Sequence, residues 1–186
     1  EGGAGADAIL GGTGFDTADY STSVGGVDVR LDGGLNTGGD AEGDTLSGVE
    51  RVIGSAFADN LTGAAAAESF AGGIGDDVIE GGGGADAIDG GAGFDTASYA
   101  HAASGIVASL ATGTGTLGDA AGDTFTAIER LLGSDHADTL AGGAGAETLD
   151  GGAGDDLLIA SLGADTLVGG AGFDTVDYAA AASAIA

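Results

Sequence analysis

Residues 72–98 read GGIGDDVIE GGGGADAID GGAGFDTAS, three nonapeptides laid end to end, each of the form G-G-x-G-x-D-x-U-x with U apolar. Positions one to six have the composition of a tight turn, where glycine accepts positive φ and lets backbone carbonyls approach without a Cβ clash. Positions seven to nine predict a three-residue strand whose middle side chain faces a core while its neighbours point out. Two nonapeptides then complete one coil of 18 residues, and successive coils stack as parallel strands about 4.8 Å apart.

The same register extends in both directions. It holds at 2–10 (GGAGADAIL), 142–150 (GGAGAETLD) and 151–159 (GGAGDDLLI). It also holds where glycines are lost, at 54–62 (GSAFADNLT), 63–71 (GAAAAESFA), 133–141 (GSDHADTLA) and 160–168 (ASLGADTLV). The expected inward set is Ile9, Leu61, Phe70, Ile79, Ile88, Leu140, Leu149, Leu158, Leu167 and Val176.

A longer period encloses the first. Phe15, Phe94 and Phe173 are spaced 79 residues apart, as are Tyr20, Tyr99 and Tyr178, and the same offset carries Asp40 to Asp119, Asp44 to Asp123 and Glu50-Arg51 to Glu129-Arg130. Nonapeptides therefore occupy 2–20, 54–98 and 133–177, excursions of about 34 residues occupy 21–53 and 99–132, and 178–186 is the start of a third. Residues 27–31 and 106–110 read as excursion strands, and 44–53 with its copy 123–132 as one or two more. Three excursion strands would make four whole coils per unit, so that units stay in phase along one continuous array spanning 1–186. The register at either end places both termini inside the repeat pattern, so the chain is expected to be a window on a longer protein.

Composition narrows the function classes. Thirty Asp and Glu face only Arg30, Arg51 and Arg130, for a formal charge of −27, yet 43% of residues are hydrophobic. A chain both apolar and strongly anionic needs counter-charge before it compacts. Nucleic acid would be repelled, no apolar run of about 18 residues exists to insert in a membrane, and without cysteine there are no disulfides or thiolate metal sites.

The nonapeptides resemble those of the RTX (repeats-in-toxin) family, whose haemolysin-type repeat is this G-G-x-G-x-D-x-U-x unit. The resemblance implies an all-β chain, a right-handed parallel β-roll (a β-solenoid) of stacked 18-residue coils with wider coils in the excursions. It also implies several Ca2+ ions per chain, each held between stacked turns by position-six carboxylates and turn carbonyls. An all-oxygen donor set of tolerant geometry suits calcium rather than zinc or octahedral magnesium. Carried over position by position, the carboxylate pairs are Asp59 with Asp77, Asp77 with Asp95, Asp138 with Asp156 and Asp156 with Asp174 on one edge. On the other edge they are Glu68 with Asp86 and Glu147 with Asp165, and Asp7 and Asp16 take the same slot in the first unit. Carbonyl ligands are expected from Gly73, Gly75, Gly81, Gly83, Gly90, Ala92, Gly151, Ala153, Gly169 and Ala171. The glycine-poor turns carrying Glu68 and Asp165 are expected to be weak or empty. In the excursions, Asp40, Asp44, Glu50, Asp119, Asp123 and Glu129 are either further calcium ligands or a solvated acidic loop.

His101 aligns with Thr22 and Ala180, and His136 with Phe57, so neither recurs between units, and no serine, histidine and acid group recurs either. No catalytic residue is expected, and the chain is read as a non-enzyme. By resemblance it belongs to a bacterial protein exported by type I secretion to the cell surface or medium. The first expectation is a calcium-induced-folding structural region of an adhesin, surface layer or filament, with copies associating end to end or side by side. The alternative is an accessory calcium-binding and secretion module of a secreted protease, lipase, epimerase or haemolysin.

Overall fold

The computed structural model describes residues 2–181; Glu1 and residues 182–186, most of the third excursion, lie outside the described part. Positions seven to nine of every nonapeptide form a strand, as in Asn60–Thr62, Val78–Glu80, Thr139–Ala141 and Leu157–Ile159. Two continue into the next turn, Ser69–Ile74 and Ala87–Ala92. Pairing is parallel at an offset of 18 residues, with Leu61 opposite Ile79 and Leu140 opposite Leu158. The chain is thus a parallel β-roll, built of a seven-stranded and a ten-stranded sheet plus a two-stranded one formed by Ala8–Leu10 and Thr45–Ser47. Three single-turn 3-10 segments are its only helices among the described residues, and none is long and apolar enough to cross a membrane.

The middle strand residues form the core. Leu61, Phe70, Ile79, Ile88, Leu140, Leu149 and Leu158 are buried. Ile9 and Leu167, near the ends, are only partly buried, and Val176 is 40% exposed. The inward expectation weakens there because a coil needs a neighbour on each side to bury its middle residue.

The first two excursions each supply two strands where one or two were expected, Thr45–Ser47 with Arg51–Ile53 in 44–53, and Thr124–Thr126 with Arg130–Leu132 in its copy. Asp28–Arg30 and Val107–Ser109 supply the third. The second excursion adds Thr114–Leu117, which returns antiparallel against Val107–Ser109. In the first excursion this shrinks to one antiparallel bridge between Asp28 and Thr37.

The units are not in phase. Asn60–Thr62 lies in the seven-stranded sheet, but its equivalent 79 residues on, Thr139–Ala141, lies in the ten-stranded one. Ser69–Ile74 and its equivalent Thr148–Asp150 swap in the opposite sense. The cause is in the second excursion. Val107–Ser109 and Thr124–Thr126 both enter the ten-stranded sheet, one against Thr139–Ala141 and the other against Ala87–Ala92. A unit therefore advances by an odd number of half-coils, and equivalent residues alternate between faces.

Candidate metal centres

Stacking aligns the turns, and the position-six acids form ladders through the backbone. The Asp59 amide donates to Asp77 Oδ1 at 2.9 Å, the Asp77 amide to Asp95 Oδ1 at 2.9 Å, and the Asp95 amide to Glu129 Oε2 at 2.9 Å. On the other edge the Glu68 amide reaches Asp86 Oδ1 at 2.8 Å and the Asp86 amide reaches Asp123 Oδ1 at 2.8 Å. The second unit repeats this from Asp138 to Asp156 and Asp174, and from Glu147 to Asp165. In the first, Asp7 donates to Asp44 and Asp16 to Glu50. The ladders therefore bring together every turn acid named from sequence and four excursion acids. Asp40 and Asp119 stay out: both sit in 3-10 turns, the Asp40 amide on Ser23 Oγ and Asp119 at a surface cleft with Arg30, Glu80 and His101.

The second carboxylate oxygen separates the turns into two kinds. In Asp7, Asp16, Asp77, Asp86, Asp95 and Asp156, Oδ2 is buried with no hydrogen-bond partner. Asp77 and Asp95 are 0% exposed, Asp86 1% and Asp156 2%. A buried, unpaired charged oxygen is costly, and its usual responses are to take up a proton or a cation. Burial accordingly pushes Asp77 up to about 6 and Asp86 up to about 7, and raises Asp95 and Asp156. Around these oxygens the backbone is open. A Cβ added to Gly72 would strike both Asp77 Oδ2 and the Gly90 carbonyl, and one on Gly151 would strike Asp156 Oδ2 and the Gly169 carbonyl. Carboxylate and carbonyl oxygens thus converge on a space that only glycine leaves free, and this hard donor set fits a calcium-like cation. No three His, Cys, Asp or Glu side chains converge on one point among the described residues. A cation between turns therefore draws on backbone carbonyls as well as carboxylates.

The other kind of turn satisfies its acid internally. The Ser55 amide donates to Asp59 Oδ2 at 2.5 Å and its hydroxyl to Oδ1 at 2.8 Å. Ser134 makes the same pair of bonds to Asp138, and Ser161 bonds Asp165 Oδ2 through amide and hydroxyl. For Asp165, burial acts to raise the carboxyl, but hydrogen bonds from Ser161 and Glu147 together outweigh it and hold the group below the ordinary range.

Of the expected carbonyl ligands, those of Gly81, Gly90, Gly151 and Gly169 lie against the first residue of the turn one coil back. Those of Gly73 and Gly75 lie against Gly91 and Gly93, whose φ of +100° and +156° leave no room for a side chain over the carbonyl. The carbonyls of Ala92 and Ala171 accept from the Gly75 and Gly154 amides at 2.9 and 2.8 Å. Gly83 and Ala153 donate their amides to the carbonyls of Ala64 and Ser134.

Sequence reasoning passed over the serines and the tyrosines. The Tyr20 and Tyr99 hydroxyls donate to Asp44 and Asp123. The signal was available: Tyr20 and Tyr99 are 79 residues apart, as are their acids Asp44 and Asp123, and Ser55 recurs as Ser134. The histidines take no part; exposed His101 meets Glu80 at 2.9 Å.

The family model for the RTX calcium-binding nonapeptide repeat (4 copies) matches residues 1–18, 44–73, 62–97, 123–158, 132–167 and 142–176, together well over half of the chain. Two of the matched segments begin at Asp44 and Asp123, the excursion acids that join the ladders. No curated protein matches the chain.

Proposed function

Because the chain belongs to the RTX calcium-binding nonapeptide repeat family, whose repeats bind several calcium ions per domain, we propose that it is a calcium-folded structural segment of a large secreted bacterial protein, an adhesin, surface-layer or filament scaffold. The repeat itself is a structural calcium-binding element rather than a catalytic one. The observation that carries the folding role is the row of buried carboxylate oxygens without partners, Asp77, Asp86, Asp95 and Asp156 among them. These acids, with carbonyls such as those of Gly90 and Gly169, would hold the ions. Bound calcium supplies hard positive charge to oxygen ligands.

The chain's own part is to gather charge that cannot stay gathered unaided. With a formal charge of −27 and turn acids stacked coil on coil, the ion-free roll is opposed by self-repulsion and by desolvation of each buried oxygen. In a calcium-poor cytosol the chain stays open for export. Outside, at about 0.1 to 1 mM calcium, binding energy becomes folding energy. The regular stacking and the continuous core from Val29 to Leu158 support a scaffold role.

Far-ultraviolet circular dichroism during a calcium titration, with magnesium as control, tests the reading. A cooperative coil-to-β transition between about 0.1 mM and several millimolar calcium, absent with magnesium, is expected. A full β spectrum in chelator would overturn it.

A further inference from the structure

The two kinds of turn follow from one backbone angle. In turns with an orphaned acid, the second residue is a glycine in the left-handed region, as at Gly73 (φ +114°), Gly82 (φ +81°), Gly91 (φ +100°) and Gly152 (φ +86°). The two turns of the first unit, with Gly3 and Gly12, obey the same rule. In the remaining turns the second residue is Ser55, Ala64, Ser134, Gly143 or Ser161, none of them left-handed. There the turn's own backbone reaches the acid. Ala64 donates to Glu68 at 3.3 Å and Gly145 to Glu147 at 2.8 Å, beside the serine bonds already described. The last turn, with Gly170 at φ +96°, carries half-buried Asp174.

The physical link is the orientation of one peptide. A residue with a Cβ avoids positive φ, and at the other angle its N–H points at the carboxylate. An N–H and a cation compete for the same lone pair, so a turn that donates to its own acid has closed the oxygen a cation needs. A serine adds its hydroxyl and closes the turn further.

We propose that the second residue of each nonapeptide decides whether its turn takes calcium: turns with left-handed glycine are the cation sites, and the Ser55, Ser134 and Ser161 turns are ion-independent clamps in which amide and hydroxyl donors replace the ion. This deepens the calcium-folding reading and rests on it. It places the Ser55 and Ser134 clamps at the start of the runs 54–98 and 133–177, directly after the excursions, and the Ser161 clamp within the second of them. Each of these runs thus has a closed turn on which calcium-dependent turns can stack.

The test counts bound calcium per folded chain by equilibrium dialysis against 45Ca2+, with circular dichroism recorded in parallel. Ser55→Gly with Ser134→Gly should raise the count relative to the unsubstituted chain and lower the β signal remaining in chelator. Ser55→Ala with Ser134→Ala should lower that residual signal without raising the count. Gly152→Ser, the converse, should lose one ion while the chain still folds in calcium. An unchanged count in both the double glycine variant and Gly152→Ser, with the unsubstituted chain binding several ions, overturns the rule and leaves the folding reading standing. An unsubstituted chain that binds none removes both.

Discussion

The phenol of Tyr99 donates a 2.6 Å hydrogen bond to Oδ2 of Asp123, whose Oδ1 accepts the amide of Asp86. Tyr20 makes the same bond to Asp44 at 3.0 Å. Tyr99 is 1% exposed and stands edge-on to Phe125 at 6.4 Å, so the excursion is fastened to the carboxylate ladder by a buried phenol.

Removing that hydroxyl leaves Asp123 Oδ2 buried without a donor. Tyr99→Phe should cost about 1–3 kcal/mol in saturating calcium, measured by denaturant unfolding, while the number of bound ions stays the same. Tyr178→Phe serves as control, since that ring is 52% exposed, and its effect should be negligible. Equal stability of Tyr99→Phe and the unsubstituted chain would show that the bond carries no weight.

Asp77 has one oxygen on the Asp59 amide and one without a partner. Asp77→Asn keeps an acceptor for the amide but removes the charge. In calcium at about a hundred times its dissociation constant, the loss of one site should cost about 2.7 kcal/mol, read as a higher calcium midpoint. In chelator the same change should be neutral or stabilising, because it removes an uncompensated buried charge. Destabilisation of equal size with and without calcium would rule out an ion at Asp77.

Acid should partly replace calcium. Burial lifts Asp77 to about 6 and Asp86 to about 7 in the folded, ion-free roll, against an ordinary value of 3.8. Between those limits the folded chain binds more protons than the unfolded one. The contribution to stability is therefore present below the ordinary value and lost as pH rises through 6 to 7. In chelator, β content should increase as pH falls from about 7.5 to about 5. Circular dichroism that is flat or declining over that interval would contradict this.

Ala127 is left-handed, with φ +50°, where the equivalent residue of the first unit is Gly48 at φ +62°. Ala127→Gly should relieve the side-chain clash and stabilise the fold by about 1 kcal/mol, less what glycine's added freedom in the unfolded chain takes back. Gly48→Ala should cost on the order of 1–2 kcal/mol, since its Cβ would sit 3.1 Å from the Gly12 backbone. Thermal unfolding of both variants in saturating calcium gives the signs directly.

Much of the roll was legible because its period is local. Each nonapeptide carries its own turn glycines and its own inward residue, so strands such as Asn60–Thr62 and Leu157–Ile159 follow from spacing alone. The excursions were less so. Asp44 and Asp40 are both acids four residues apart, but one enters a ladder and the other a surface turn. Nothing in the neighbouring residues distinguishes them; the difference is which coil each segment stacks on. The hairpin strand Thr114–Leu117 left a faint trace in the alternation T-G-T-L, too short to read without its partner Val107–Ser109.

The sequence by itself determined the parallel roll, the 18-residue coil, the core row from Leu61 to Leu158 and the acids at the turns, because each of these repeats with a period the chain carries in its order of residues. Only the tertiary structure decided that successive units exchange faces, that Tyr99 and Tyr20 fasten the excursions, and which carboxylate oxygens are left without a partner. Those depend on how a strand far along the chain lands on an earlier coil and on which way a single peptide turns beneath it. Such outcomes are set by packing between segments, which no local pattern encodes.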